Sequence, residues 1–396
     1  LVAESDRADR RSVLLTLCLT EITSWGVLYY AFSVLSPAIC ADTGWSAPAV
    51  TAAFSAGLVI SALLGIPVGR WLDRHGPRWI MTGGSVLGSI ALAGVAAAPD
   101  VVSFTAAWVV AGVAMSAVFY APAFAALTRY FRPDAVRALT ALTLAAGLAS
   151  TVFAPLTAAI SAHMDWRETY LVLAAAMAVI TVPAHFFGLR RPWPHIEHHH
   201  LVEPPTRIAR SRQFVALTVA FAMAGLASYA VIVNLVPLMT AHGISTQAAA
   251  LALGLGGAGQ VLGRLGYQRM VRHLSVVPRT ALIMAGVAVT TALLGLLTSV
   301  ATLITVAVVA GVVRGVMTLL QATAVTERWG ITHYGQLSGI LSAPVMLSTA
   351  LGPFVGAGLA TLLGGYGAMF VVLGAVALAA ALLATATRVR PVDADG

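Results

Sequence analysis

The sequence predicts an all-α membrane protein with twelve transmembrane helices in two pseudo-symmetric six-helix bundles. Three observations lead there. Hydrophobic residues make up 59% of the 396 positions and charged residues only 10%, against roughly 25% charged in soluble proteins. A soluble fold of this composition, with mean hydropathy +0.88, would leave large apolar patches in water. Apolar runs long enough to span a bilayer recur twelve times, and the basic residues fall in every second gap between them.

The runs lie at about 12–38, 47–69, 79–98, 101–127, 137–161 and 168–189, then at 213–240, 246–267, 279–298, 301–325, 336–360 and 363–387. Each has about the 20 residues a crossing needs. The first run follows Arg7, Arg10 and Arg11 and is too long for a signal-peptide core, so it reads as a retained helix.

All 23 basic residues are Arg, with a net charge of +8. Even gaps hold Arg70, Arg74 and Arg78; Arg129, Arg132 and Arg137; Arg190, Arg191, Arg207, Arg210 and Arg212; Arg269, Arg272 and Arg279; and Arg328. Odd gaps hold only Arg167. The positive-inside rule then puts both termini in the cytoplasm of a multi-pass plasma-membrane protein. No separate Arg-rich domain offers itself to nucleic acid.

The longest polar stretch, 190–212, carries Pro192, Pro194, Pro204 and Pro205. It separates an N-terminal bundle (1–189) from a C-terminal one (213–396) as a cytoplasmic linker. Ser150, Thr151 and Pro155 in the fifth run match Ser348, Thr349 and Pro353 in the eleventh at one offset, the mark of a duplicated chain.

Charges inside the runs point to a working site, because a charge at mid-bilayer costs about 2.5–3.5 kcal/mol and so faces a cavity. Arg314 sits midway along the tenth run, between Gly311 and Gly315. Arg264 lies nearer the cytoplasmic end of the eighth, where it either faces the cavity or snorkels to the interface. Glu21 is about ten residues, or roughly 14 Å, into the first helix; it is either a proton carrier or half of a static ion pair. Glu21, Trp25, Tyr29 and Phe32 recur at helical spacing and would line one face. Tyr120, Tyr229, Asn234 and Gln321 are further polar candidates for the cavity.

Other features are set aside. Cys18 and Cys40 do not form a disulfide framework. His195, His198, His199 and His200 lie in the Pro-rich linker and read as solvated, not as a metal site. The Gly254–Gly259 run is inside a helix and reads as a close-packing face. No catalytic constellation, cofactor loop or ATP-binding module is visible, so an enzyme is not expected.

Between the second and third runs, Gly69-Arg70-Trp71-Leu72-Asp73-Arg74-His75-Gly76-Pro77-Arg78 resembles the signature loop of the major facilitator superfamily. Gly69, Asp73, Arg74, Gly76 and Arg78 stand in the matching places. Gly69 is expected to let the second helix pack closely. The resemblance implies that Asp73 sits at the N-terminus of the eleventh helix, where the helix dipole favours a carboxylate, and biases a conformational equilibrium. The second half has a degenerate copy, Gly263 to Arg269, without the Asp.

Within the superfamily, Asp42-Thr43-Gly44-Trp45, Tyr130-Phe131 and the eighth-helix Arg264 resemble the monocarboxylate-porter and oxalate/formate-antiporter branch. That resemblance implies that Arg264 holds a carboxylate; Gln260 takes the place where animal members carry an Asp. Where proton-coupled drug exporters often carry an Arg in the fourth helix, this chain has Trp108. The expectation is an alternating-access carrier, a monomer in the lipid bilayer, moving a small organic anion together with protons. Arg314 and Arg264 would bind the anion bidentately and Glu21 would carry the proton. Efflux of a drug or metabolite is the alternative.

Overall fold

The computed structural model describes residues 2–131, 135–193, 206–329 and 334–387. The His195–His200 cluster and most of the linker lie outside them. Among the described residues, twelve helices are long and apolar enough to cross a membrane. They are, in order, Arg10–Thr43, Ala47–Leu72, Pro77–Ala97, Val101–Tyr130, Arg137–Ser161 and Trp166–Gly188, then Arg212–Ala241, Thr246–His273, Val276–Leu296, Val300–Thr323, Gly339–Leu362 and Tyr366–Thr385. The expected spans hold to within a few residues. The eighth helix runs on to His273, because its basic end is still helical after the apolar run has stopped.

Short polar side chains fix the helix starts. Ser46 accepts from the Ala49 amide, Ser211 from Phe214 and Ser245 from Ala248. Asp100 and Asp165 form capping boxes with Ser103 and Glu168. Each satisfies amides that the first helical turn leaves without partners. Ser103 and the backbone amides around Asp100 also hold its carboxyl below the usual carboxylate range.

Three spans are irregular, and all three irregularities lie beside the central cavity. The first span contains a π-turn, Gly26–Tyr30, closed by the Ala31 amide on the Gly26 carbonyl. The fourth breaks at Phe119, which is extended (φ −89, ψ −170) between Val101–Val118 and Tyr120–Tyr130. Pro122 lies in the new first turn, where its missing N–H is tolerated. The fifth breaks between Ala146 and Ala149.

Close backbone approaches set the packing within each bundle. A Cβ on Gly112 would fall on the Gly57 carbonyl, and one on Gly311 on the Gly256 carbonyl. A Cβ on Gly57 would meet the Trp108 carbonyl, and one on Gly256 the Ala307 carbonyl. Gly57 and Gly256, Gly112 and Gly311, and Trp108 and Ala307 all stand the same number of residues apart. The crossing of spans two and four is thus repeated, residue for residue, by spans eight and ten. This is the two-fold pseudo-symmetry expected from the sequence.

The bundles meet through symmetry-related pairs: spans two and eleven, spans five and eight, and span one with span seven. Hydrogen bonds through Ser33, Ser55 and Thr151 join the bundles in the half of the molecule away from the Arg-rich loops, and one from Arg264 to the Thr143 carbonyl joins them nearer those loops. Ser33 donates to the Ile232 and Val233 carbonyls at 2.9 and 3.0 Å. Val233 is four residues before Pro237, which has no N–H to offer that carbonyl. The Phe354 amide, next to Pro353, donates to Ser55 Oγ at 3.2 Å. Thr151 donates to the Gly254 carbonyl at 2.8 Å.

Candidate functional site

A cavity of about 160 Å³ lies between the bundles. The first, fourth and fifth spans contribute Trp25, Tyr30, Tyr120, Phe124, Thr143 and Gly147 to its wall. The other bundle contributes Ser228, Tyr229, Gln260, Arg264, Arg314 and Gln321 among others. No Asp or Glu is among the described lining residues, so two guanidinium groups face this space without a described carboxylate in the same wall.

Arg314 is presented by the Gly311–Gly315 crossing. A Cβ on Gly315 would fall on the Gln260 carbonyl, so spans eight and ten touch backbone to backbone there. That contact brings the Gln260 side chain against Arg314. With its amide oxygen turned to the guanidinium, Gln260 accepts from Nη2 at 2.7 Å and from Nε at 3.2 Å.

Arg264, only 7% exposed, lies one helical turn after Gln260. It does not snorkel. Its Nη1 donates to the Thr143 carbonyl in the opposite bundle, just before the break in span five. Carbonyls at a helix C-terminus carry partial negative charge, which suits a cation. Its buried Nε has no partner among the described residues.

Glu21 is fully buried but lies behind the wall and does not line the cavity. Trp25 Nε1 donates to its Oε2 at 3.0 Å, and Oε1 has no partner. Among the described residues it forms no ion pair. Trp25 stacks flat on Phe119, with centroids 4.1 Å apart, and separates Glu21 from the cavity.

Several expectations need correction. The π-turn breaks the stripe of Glu21, Trp25, Tyr29 and Phe32. A π-turn closes over five residues, so Tyr30 and not Tyr29 follows Trp25 into the cavity wall. Tyr29 lines an adjoining space instead. Phe32 stacks on Phe54 at 4.1 Å and packs edge-on to Trp108, inside the first bundle. Asn234 donates to the Ala230 carbonyl and lines a different cavity, beside Cys40 and Tyr366 in the half away from the Arg-rich loops. Tyr120, Tyr229, Gln260, Gln321, Arg264 and Arg314 do come together.

The signature loop is only partly described, since the Asp73 side chain lies outside the described residues. Gly76 ends its helix with φ at +80, which glycine tolerates, and packs on Trp193. Arg78 donates to the Phe186 carbonyl at 2.9 Å and lies over the Phe186 ring. Arg74 is exposed. A Cβ at Gly69 would meet nothing within 4 Å, so this glycine makes no close helix contact in this conformation.

One loop arginine of the sequence reading is buried. Arg279, 2% exposed, pairs with Glu327 and donates to the Leu274 carbonyl. Beside it, Arg328 reaches Thr280 at 2.9 Å and Thr387 at 3.3 Å. Burial lowers the Arg328 pKa to about 10, which leaves it cationic at neutral pH. The group ties spans nine, ten and twelve together at their Arg-rich end.

Residues 17–302 match the family model described as Major Facilitator Superfamily. Over 153 residues the chain is 29% identical to an uncharacterized MFS-type transporter, YcxA of Bacillus subtilis (strain 168). That stretch takes in 37% of this chain and 36% of the relative, so little more than a third of the relative's length is matched. Crystal structures of a bacterial homolog to the human lysosomal transporter Spinster, inward-facing and either unoccupied or occupied, superpose with a TM-score of 0.72 in both cases. They cover 97% and 96% of this chain and 99% of each neighbour, at 16% and 18% identity. At such identities the likeness speaks for the fold. With a family model matching most of the sequence and the same fold carried through nearly all of it, the chain belongs to the major facilitator superfamily, whose members are transporters rather than enzymes.

Proposed function

We propose that the chain is a secondary carrier that moves a small organic anion by alternating access, coupled to protons. One observation carries this reading: Arg264 and Arg314 line a single cavity with no carboxylate among the described residues of its wall. An anion entering there meets two planar donors suited to bidentate contact. A cation would meet repulsion from both guanidinium groups.

The positive-inside rule supports placing the Arg-rich face and both termini in the cytoplasm of the cell membrane. The bundle contacts through Ser33, Ser55 and Thr151 then close the outer side, and the cavity serves the cytoplasm. Turnover requires those contacts to part while the bundles, 1–189 and 213–396, rock about the 190–212 linker and close the inner side. The Asp73 loop is suited to latch that inner side in the other state. Glu21 is the group for the proton: it is buried, bonded only to the Trp25 indole, and one ring away from the anion.

A second reading is efflux of a drug or amphipathic metabolite. The aromatic lining from Trp25, Tyr30, Tyr120, Phe124 and Tyr229 favours it. Uptake of radiolabelled carboxylates into proteoliposomes, with and without an inward proton gradient, separates the two. The anion reading expects gradient-stimulated uptake that Glu21→Gln abolishes. If no carboxylate moves while neutral or cationic dyes do, the exporter reading replaces it.

A further inference from the structure

A second space, of about 230 Å³, adjoins the arginine cavity. The two share Trp25, Tyr120, Tyr229 and Thr349 as lining residues, so they are adjoining compartments. Among the described residues, no ionisable acid or base lines the second one apart from tyrosines. Its Ser116 and Thr349 hydroxyls already donate to carbonyls of their own helices.

The pseudo-symmetry explains the pairing. Ser61, Gly65 and Met115 line the second compartment. They stand as far before Gln260, Arg264 and Arg314 as Gly57 stands before Gly256. The duplicated fold has therefore built the same compartment twice. One copy carries amide, guanidinium and guanidinium; the other has a hydroxyl, nothing and a thioether in those positions.

From this we infer that the substrate is an amphipathic monoanion: a single carboxylate-like head held at Gln260, Arg264 and Arg314, and an apolar ring or chain lodged against Ala62, Gly65 and Met115. The inference rests on the anion reading above and narrows it. Two-carbon and three-carbon acids would leave the second compartment empty, and dianions would put a charge into it with no partner, which is costly. An apolar cavity of about 150 Å³ is enough to hold benzene, so the space suits an aryl group or a medium chain.

Isothermal titration calorimetry of the detergent-purified full chain tests this with four probes: acetate, pyruvate, hexanoate and phenylacetate. Hexanoate and phenylacetate should bind at least about tenfold more tightly than acetate, as burial of several carbons implies. Ala62→Leu, which fills the second compartment, should remove that preference. Gly65→Arg, at a position where an added Cβ meets nothing within 4 Å, should weaken phenylacetate and admit adipate, a dianion. If all four acids bind alike and all are lost in Arg314→Gln, the anion reading stands and this inference falls. If none binds, or Arg314→Gln changes nothing, the anion reading itself falls and takes the inference with it.

Discussion

The Gln260 amide oxygen, oriented to Arg314, accepts from that guanidinium twice, at 2.7 Å and 3.2 Å. The two residues come from different helices, and the glycine crossing below them sets their distance. Arg314 therefore reaches the cavity already aimed, with part of its donor fork still unspent. Removing Gln260 should leave the charge in place but badly aimed.

Gln260→Leu is accordingly expected to raise KM for the anion with a smaller change in kcat. Hydrogen bonds to a charged group contribute about 1.5–3 kcal/mol, which corresponds to a roughly ten- to hundredfold change. Initial uptake rates against substrate concentration measure it. Gln260→Glu should do worse, because a carboxylate there competes with the substrate for Arg314.

The crossing itself should tolerate nothing larger. In Gly311→Val the added carbons would run into the Gly256 backbone carbonyl. Overpacking typically costs about 1–3 kcal/mol, and a backbone obstacle belongs at the upper end. A clear fall in melting temperature in detergent is expected. Gly266→Ala, where an added Cβ meets nothing, should melt like the wild type.

Ser33 helps hold the far side shut through the Ile232 and Val233 carbonyls. Interhelical hydrogen bonds in membranes average about 0.6 kcal/mol, so Ser33→Ala should shift the closed-to-open balance by roughly threefold. Cys40, half-buried in the cavity on that side, is a native reporter. Its labelling by an impermeant maleimide in right-side-out vesicles, in a Cys18→Ser background, should speed up by about that factor. Unchanged labelling would remove Ser33 from the closure.

Glu327→Gln leaves Arg279 buried without its partner carboxylate. Breaking a buried pair costs about 3–5 kcal/mol; the Glu327 side chain is 20% exposed, which argues for the lower end. Thermal stability in detergent should fall markedly, while substrate affinity of the surviving folded fraction should not change.

Most of the fold could be read from the sequence because lipid imposes one simple requirement, an apolar run of fixed length, and each run announces itself. Arg314 and Arg264 stood out as candidates because a charge inside such a run faces a cavity or snorkels out; Gln260 stood out only through the resemblance that paired it with Arg264. Tyr30 was not. The π-turn at Gly26–Tyr30 leaves no compositional mark, and one extra residue in a turn rotates everything after it. Asn234 misled for a related reason: depth along a helix says nothing of which opening it faces, and here it bonds its own Ala230 carbonyl. Nor does residue type separate Gly69, which touches no neighbour, from Gly311, which cannot spare its missing carbon.

If the arginine pair holds the anion, the initial rate of carboxylate uptake by Arg314→Gln and Arg314→Lys, at equal reconstituted amounts, must register its loss. Uptake by Arg314→Gln should fall about tenfold or more, in line with the loss of charge-assisted hydrogen bonds. Arg314→Lys should fall between that variant and wild type, because charge is kept and the planar fork is lost. Uptake by Arg314→Gln within about twofold of wild type, outside the range such bonds allow, would contradict anion binding by the arginine pair.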